Sequence, residues 1–170
     1  MKRPSVNRGG LMKTSVDVHN HLQTVEVPHE IFLLSSPTKT AERTAALLGL
    51  RLSEVVKSVI FMAEDKPILV LVPGDRRVSY KKVKDALSIN KLKLATSQEV
   101  IDHTGYTLGA TPPFAHRTNI DTLVDGVIAG KEVVYTGGGE LNAMLKIRSQ
   151  DLIRAAGAKV ADVSEALDRV

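Results

Sequence analysis

The sequence predicts an α+β domain on a mixed or largely antiparallel sheet, from three observations. Helical and strand-like segments follow one another without a regular β-α-β alternation. The run PILVLVP at residues 67–73 has the continuous apolar character of a buried strand. The length of 170 residues suits one domain with an ordinary core, so no metal or disulfide staple is needed.

Residues 1–14 are basic, carry Gly and Pro without periodicity, and read as a flexible leader ahead of a domain over 15–170. Val16, His19, Leu22 and Val25 fit a short amphipathic helix, and Glu30–Leu34 reads as a strand stopped by Pro37. Thr40 can cap a helix that turns Ala41, Ala45 and Leu48 to one face and ends at Gly49. Val55–Met62 is strand-like, and the run 67–73 follows it. Ser79 caps YKKVKDAL, with Val83 and Leu87 inward, and Ser97 caps QEVIDHT, which Gly105 ends. Residues 132–136 and 143–148 form a strand pair around Gly137-Gly-Gly-Glu-Leu-Asn142, and Ser149 caps a last helix before Gly157.

Composition excludes several function classes. The chain has no cysteine, which removes thiol catalysis, Cys-based zinc sites and a disulfide-rich secreted fold. No apolar run reaches the roughly 18 residues of a membrane helix, and no apolar signal core follows the basic start, so a cytoplasmic protein without membrane contact is expected. The net charge of +4 is unevenly placed: Arg76, Arg77, Lys81, Lys82 and Lys84 fall together, with Lys91 and Lys93 shortly after. This is a candidate phosphate-facing patch, only partly interspersed by Asp75 and Asp85. With three Phe, three Tyr and no Trp, no stacking platform for single strands accompanies it.

The familiar catalytic constellations are missing. Gly137-Gly-Gly is neither a P-loop nor a dinucleotide fingerprint, and no GxSxG elbow is present. His19-Asn-His21 has no further ligand cluster beside it, so no metal is expected. The stretch GYTLGATPPFAH, residues 105–116, places two glycines and two prolines in an otherwise small or apolar run flanked by His103 and His116. Such a loop holds one shape, either as a pocket wall or as a tight connection. Lys57 falls between Val55, Val59 and Phe61 on one face of its strand. A charge there either meets an anion or snorkels at a sheet edge.

The segments VVKSVIF, LVPGDRRVSYKKV, ATSQEVIDHTGYTLGATPPFAH and VVYTGGGELNAMLKIRSQDLIRAAGA, in this order, resemble the YbaK/prolyl-tRNA-editing family of aminoacyl-tRNA deacylases along about residues 15–160. That family is similar to the insertion domain of bacterial prolyl-tRNA synthetases. The resemblance implies a single α+β domain with a central mixed, largely antiparallel, curved sheet flanked by helices. It implies hydrolysis of a misacylated tRNA without a cofactor, with aminoacyl-tRNA as partner and prolyl-tRNA synthetase as a possible second one. Small wrong residues such as alanine or cysteine on the proline tRNA are the implied substrate.

Carried over by position, Lys57 is the strand lysine that holds the tRNA's acceptor end. Gly109, Ala110, Thr111, Pro112 and Pro113, with Phe114, form the loop against the aminoacyl carbonyl. Asp75 matches the acid before the basic pair, and Gly137, Gly138, Gly139 and Glu140 match the glycine-bearing strand end beside the pocket. Arg76, Arg77, Lys81 and Lys82 are then the phosphate contacts. Where many relatives read Gly-Gly-x-Ser-Pro-Phe-Gly, this chain has Ala110, Pro112 and Ala115. Proline offers no N–H at 112, which leaves the N–H groups of Ala110 and Thr111 as oxyanion donors. Two rivals remain: a noncatalytic RNA-binding or regulatory module that keeps the fold, and a small-molecule enzyme that uses Lys57 on a phosphate.

Overall fold

The computed structural model describes residues 11–168. Its central strand is the apolar run, Lys66–Pro73 (β3), which pairs antiparallel with Val56–Ala63 (β2) and parallel with Asp121–Asp125 (β6). Alternation sends its side chains to two cores. Leu69 and Leu71 join Val56, Ile60 and Met62 on one face, while Ile68, Val70 and Val72 join Phe61 and Leu123 on the other. A strand covered on both faces has no solvent side, which is why its sequence is continuously apolar.

Leu92–Leu94 (β5) and Lys159–Ala161 (β9) complete the sheet in the order β5-β2-β3-β6-β9. Glu30–Leu33 (β1), Ala143–Arg148 (β8) and Val133–Gly137 (β7) make a three-stranded antiparallel sheet. Arg76–Val78 (β4) pairs antiparallel with Ser164–Ala166 (β10). The mixed sheet flanked by helices is the one expected. Its central five strands divide evenly between parallel and antiparallel neighbours, and the antiparallel excess comes from the two smaller sheets.

The first face of the sheet is covered by Ser15–Thr24 (α1), Ser97–Thr104 (α4) and Ser149–Ala156 (α6), through Val18, Leu22, Val100 and Leu152. The second is covered by Tyr80–Leu87 (α3) through Val83 and by the C-terminal segment through Val163. Ala41–Leu48 (α2) runs from its Thr40 cap to Gly49 at φ 66°, as expected. Ser79 caps α3 by accepting from the Lys82 N–H.

Several local expectations need correction. The buried stripe of α1 is Val18 and Leu22, an i, i+4 pair, whereas Val16, His19 and Val25 face solvent. Thr96, not Ser97, caps α4: its hydroxyl accepts from Glu99 N–H while the Glu99 carboxylate accepts from Thr96 N–H. Ser149 lies inside α6, and its hydroxyl donates to the Lys131 carbonyl. Of the expected leader, residues 1–10 fall outside the described residues. Lys13 and Thr14 are built into the fold, the first by donating its N–H to the Gly105 carbonyl at 2.9 Å and the second as the cap of α1.

The strands β4, β5, β6, β9 and β10, and the short helix Gly126–Ala129 (α5), are absent from the sequence reading. All span three to five residues, too few for a period to show. One buried carboxylate ties four of them together. Asp125, at the end of β6, accepts from Val127 N–H at 3.0 Å to start α5 and from Val163 N–H at 3.1 Å to hold the turn between β9 and β10. Replacing Asp125 by Ala leaves the buried Val163 N–H unpaired. The expected loss is about 2 kcal/mol of unfolding free energy, read from denaturant titration.

Candidate active site

A cavity of 630 Å³ opens where β5 ends. β5 pairs only with Phe61–Ala63, and the Ala95 N–H closes the contact on the Ile60 carbonyl at 3.0 Å. β5 does not pair with residues 56–59 of β2, which are flanked by the isolated parallel bridge Val55–Tyr135 and line the cavity. In an antiparallel strand a residue's N–H and C=O point the same way, and Ile60 sets that direction. The Ser58 peptide group, two residues earlier, faces the cavity.

Lys57 stands at this edge, half-buried. Its ammonium donates to the Arg76 carbonyl at 2.5 Å, so the chain turn after β3 fixes its height. Burial holds its pKa below the usual lysine range, while the Glu42 and Asp75 carboxylates pull the other way. Glu42 belongs to the first turn of α2 and lines the cavity; Asp75 sits exposed on the turn between β3 and β4. The result is a cation at the cavity wall held by one carbonyl and two nearby negative charges.

The proline loop contributes another part of the lining. Thr107–Ala110 is a turn closed by the Ala110 N–H on the Thr107 carbonyl at 3.0 Å, and Gly109 takes φ 89°, the position where a type II turn needs glycine. Gly109 and Thr111 line the cavity. Ala110 is fully buried with its N–H consumed by the turn, which corrects its assignment as an oxyanion donor. The Thr111 N–H, in a buried residue, makes no hydrogen bond to another described residue.

Behind the loop, the glycine run acts through its missing side chains. A Cβ on Gly137 would stand 2.9 Å from the Thr111 carbonyl oxygen, one on Gly138 2.9 Å from Ala143, and one on Gly139 2.8 Å from Thr14. Gly139 also donates its N–H to the Ala110 carbonyl at 3.0 Å. Gly137 and Glu140 line the cavity, while Gly138 and Gly139 are packing positions. The Glu140 carboxylate accepts from the Ser15 hydroxyl at 2.5 Å and its N–H at 3.1 Å, tying the hairpin between β7 and β8 to the start of α1.

Pro112 is buried, and Pro113 and Phe114 lie along a second cavity on the reverse side of the loop, away from Lys57. The basic cluster is not unopposed, which corrects the reading of that patch. Arg77 pairs with Glu165 at 2.9 Å and Asp168 at 2.7 Å, Lys82 with Asp162 at 2.9 Å, and Lys81 with Asp85 at 3.3 Å. Arg76 donates to the Ser164 hydroxyl at 2.6 Å. His19 meets His29 at 2.9 Å instead of joining His21, and no metal-ligating group of three or more forms among the described residues. No helix among them is long and apolar enough to cross a membrane.

Among the cavity residues that the sequence reading missed are Glu42, Ser58, Leu94 and Leu108. Ser58 gave one signal, a lone hydroxyl inside an apolar strand; the other three gave none.

The family model for an aminoacyl-tRNA editing domain matches residues 35–155, a span that holds β2, the proline loop and the glycine hairpin. The chain belongs to that family. The proline–tRNA ligase of Bacillus subtilis (strain 168) is 31% identical over 124 residues, 72% of this chain and 22% of the ligase. The chain thus spans about a fifth of the length of such ligases. The protein YwhH of the same organism is 24% identical over 144 residues, 84% of this chain and 91% of its own. Among solved structures, hypothetical protein APE2540 superposes with a TM-score of 0.83 at 35% identity, covering 88% of this chain and 99% of that one. A candidate trans-editing enzyme for prolyl tRNA synthetase follows at 0.82 and 29%, covering 89% and 97%. This kinship to an editing domain agrees with the mixed α+β fold.

Two substitutions test the geometry of the editing domain's loop. Ala115 stands at φ 62°, in the left-handed region, so Ala115→Gly is expected to relieve strain and raise unfolding free energy by up to about 1 kcal/mol. Gly137→Ala drives a methyl into the Thr111 and Ala110 carbonyls and is expected to lower it by about 1–3 kcal/mol. Thermal and denaturant melts of both variants check the signs.

Proposed function

We propose that this editing domain hydrolyses, in trans, the ester of a misacylated tRNA, the substrate being the proline tRNA carrying a small wrong residue such as alanine or cysteine. The observation that carries the reading is that Lys57, Gly109 and Thr111 line one 630 Å³ cavity. A volume of this size takes in an aminoacyl group together with its terminal ribose. Similarity to prolyl-tRNA ligases and to a candidate trans-editing enzyme for prolyl tRNA synthetase supports the choice of tRNA and makes the synthetase a reasonable partner.

Among the described residues lining the cavity there is no histidine to serve as base to its Ser and Thr hydroxyls. The reaction then rests on placement. Lys57 holds a phosphate near the acceptor end, the Thr111 N–H faces the tetrahedral oxyanion, and the substrate's free ribose hydroxyl assists the water. Prearranged donors and effective concentration lower such a barrier by several kcal/mol without an acid–base side chain, on the order of that attributed to oxyanion holes. A synthetase pocket separates neighbouring small side chains by only about 1–3 kcal/mol per methylene, which is the need that a second sieve meets.

A noncatalytic tRNA-binding role draws on one observation: Pro112 lacks an N–H and that of Ala110 is spent, so the loop has lost two of its N–H donors. Incubation with tRNAs charged with alanine, cysteine, serine or proline separates the readings. Catalytic ester release supports editing, and binding without release supports the module.

Lys57→Ala is expected to abolish most deacylation in single-turnover assays, since losing a charge-assisted contact of this kind removes about 2–5 kcal/mol. Lys57→Arg rescues poorly, because a planar fork does not replace a compact ammonium. Stability follows from the sign of the pKa shift. The folded value lies below the unfolded one, so charging Lys57 opposes folding at neutral pH, and that opposition fades as pH rises toward the ordinary lysine range. Lys57→Met is therefore expected to melt no lower than wild type near pH 7, with the difference narrowing at higher pH. A variant that melts lower and keeps its turnover would assign Lys57 to structure.

Arg76, Arg77, Lys81 and Lys82 are assigned to the tRNA backbone, whose phosphates compete for them with the exposed carboxylates of Asp162, Glu165 and Asp168. Lys81→Gln, with Lys84→Gln and Lys91→Gln beside it, is expected to weaken tRNA binding and flatten its salt dependence without unfolding the chain. Equal salt slopes for the triple variant and wild type would remove the patch from the interface.

A further inference from the structure

The reverse side of the proline loop bounds a second cavity, of 480 Å³, that the proposed reaction does not use. Lys13, His21, His116 and Arg117 all line it, and the carboxylate among them, Asp17, is engaged in accepting the Thr14 N–H at 2.7 Å. The Lys13 chain and the Arg117 guanidinium both approach Gly105. The point where a Cβ on Gly105 would stand is 2.9 Å from the Lys13 side chain and 3.6 Å from the Arg117 Nε.

Two features point to an anionic ligand at this site. His21 Nε2 is buried with no hydrogen bond among the described residues, although its ring is fixed by stacking on Phe114 with centroids 5.7 Å apart. The groups also repel one another. Burial, then the Lys13 charge, pushes the His21 pKa down; burial likewise lowers that of His116, and Lys13 and His21 add to it, against the Pro112 carbonyl. An anion among them satisfies the orphaned nitrogen and reverses the repulsion.

We propose that this cavity binds a phosphomonoester, with Lys13, His21, His116 and Arg117 around the phosphate and Phe114 and Ile120 against its organic part. A terminal phosphate offers three oxygens and up to two negative charges to four donors, which a carboxylate or a phosphodiester does not match. The Arg117 fork is spent only on a 3.5 Å contact to the Ile101 carbonyl. One hydrogen bond links the site to the loop that lines the reaction cavity. His116 Nε2 donates to the Pro112 carbonyl at 2.7 Å, one residue past Thr111, so phosphate held at the other ring nitrogen acts on the loop that faces Lys57.

The test is direct binding to the full chain, with no enzymatic readout. Inorganic phosphate and AMP are titrated at pH 6.5 while the histidine ring signals and the Gly109 and Thr111 amides are followed by NMR, and affinities are taken by calorimetry. Both ligands are expected to shift His21 and His116, raise their titration midpoints and move the two amides, whereas adenosine has no effect. Arg117→Gln and His21→Ala are expected to weaken AMP on the order of tenfold or more, while in Lys57→Ala the histidine shifts persist. Silent histidines at millimolar phosphate overturn the proposal, as does binding lost in Lys57→Ala and kept in Arg117→Gln. A trinucleotide without a terminal phosphate that binds as tightly as AMP overturns the monoester assignment. The wild-type NMR arm decides the matter even if a variant fails to fold.

Discussion

The cavity exists because two backbone segments touch without side chains between them. Gly137 lies so near the carbonyls of Ala110 and Thr111 that any Cβ would intrude, and the Gly139 N–H binds the Ala110 carbonyl. That contact fixes the distance between the proline loop and the β7–β8 hairpin. The hairpin in turn holds the start of α1 through Glu140, and α1 buries Val18 and Leu22 in the larger core. A wall made of main chain cannot change rotamer, so its shape is set once the sheet is formed.

The charge distribution has the same logic of distant partners. Arg76, Arg77 and Lys82 look like a free basic run when read along the chain, yet β10 lays Ser164, Glu165 and the flanking Asp162 and Asp168 against them. These are mostly exposed pairs of small energy, so they orient the cations more than they stabilise the fold. Lys57 differs because it is half-buried and meets a carbonyl, which makes its position the more sharply defined.

What was legible follows from what is local. Caps at Thr40 and Ser79, the stop at Gly49, the apolar run of β3 and the β7–β8 pair all announce themselves within a few residues. Lys57 stood out as a charge in an apolar strand, and Gly109 as the residue free to take φ 89°. Strands of three residues such as 159–161 and 164–166 carry no period of their own and are strands because β6 and β4 are beside them. The loss of Ala110 as a donor and the carboxylates facing Arg77 and Lys82 depend on partners that the local pattern does not name. Glu42 reaches the cavity only through the placing of α2.

The parallel pairing of β3 with β6 has a consequence for how the chain assembles. β2 and β3 are joined by a two-residue turn, Glu64-Asp65, and can meet as soon as both are synthesised. β6 comes only after residues 74–120, a crossover that contains α3, β5, α4 and the whole proline loop. Contacts closed over so long a segment form slowly. Until they do, the β2–β3 hairpin exposes a strand that is apolar on both faces with one edge unpaired. A nascent chain at that stage is a candidate for chaperone capture, and the cavity beside Lys57 is among the last parts of the molecule to exist.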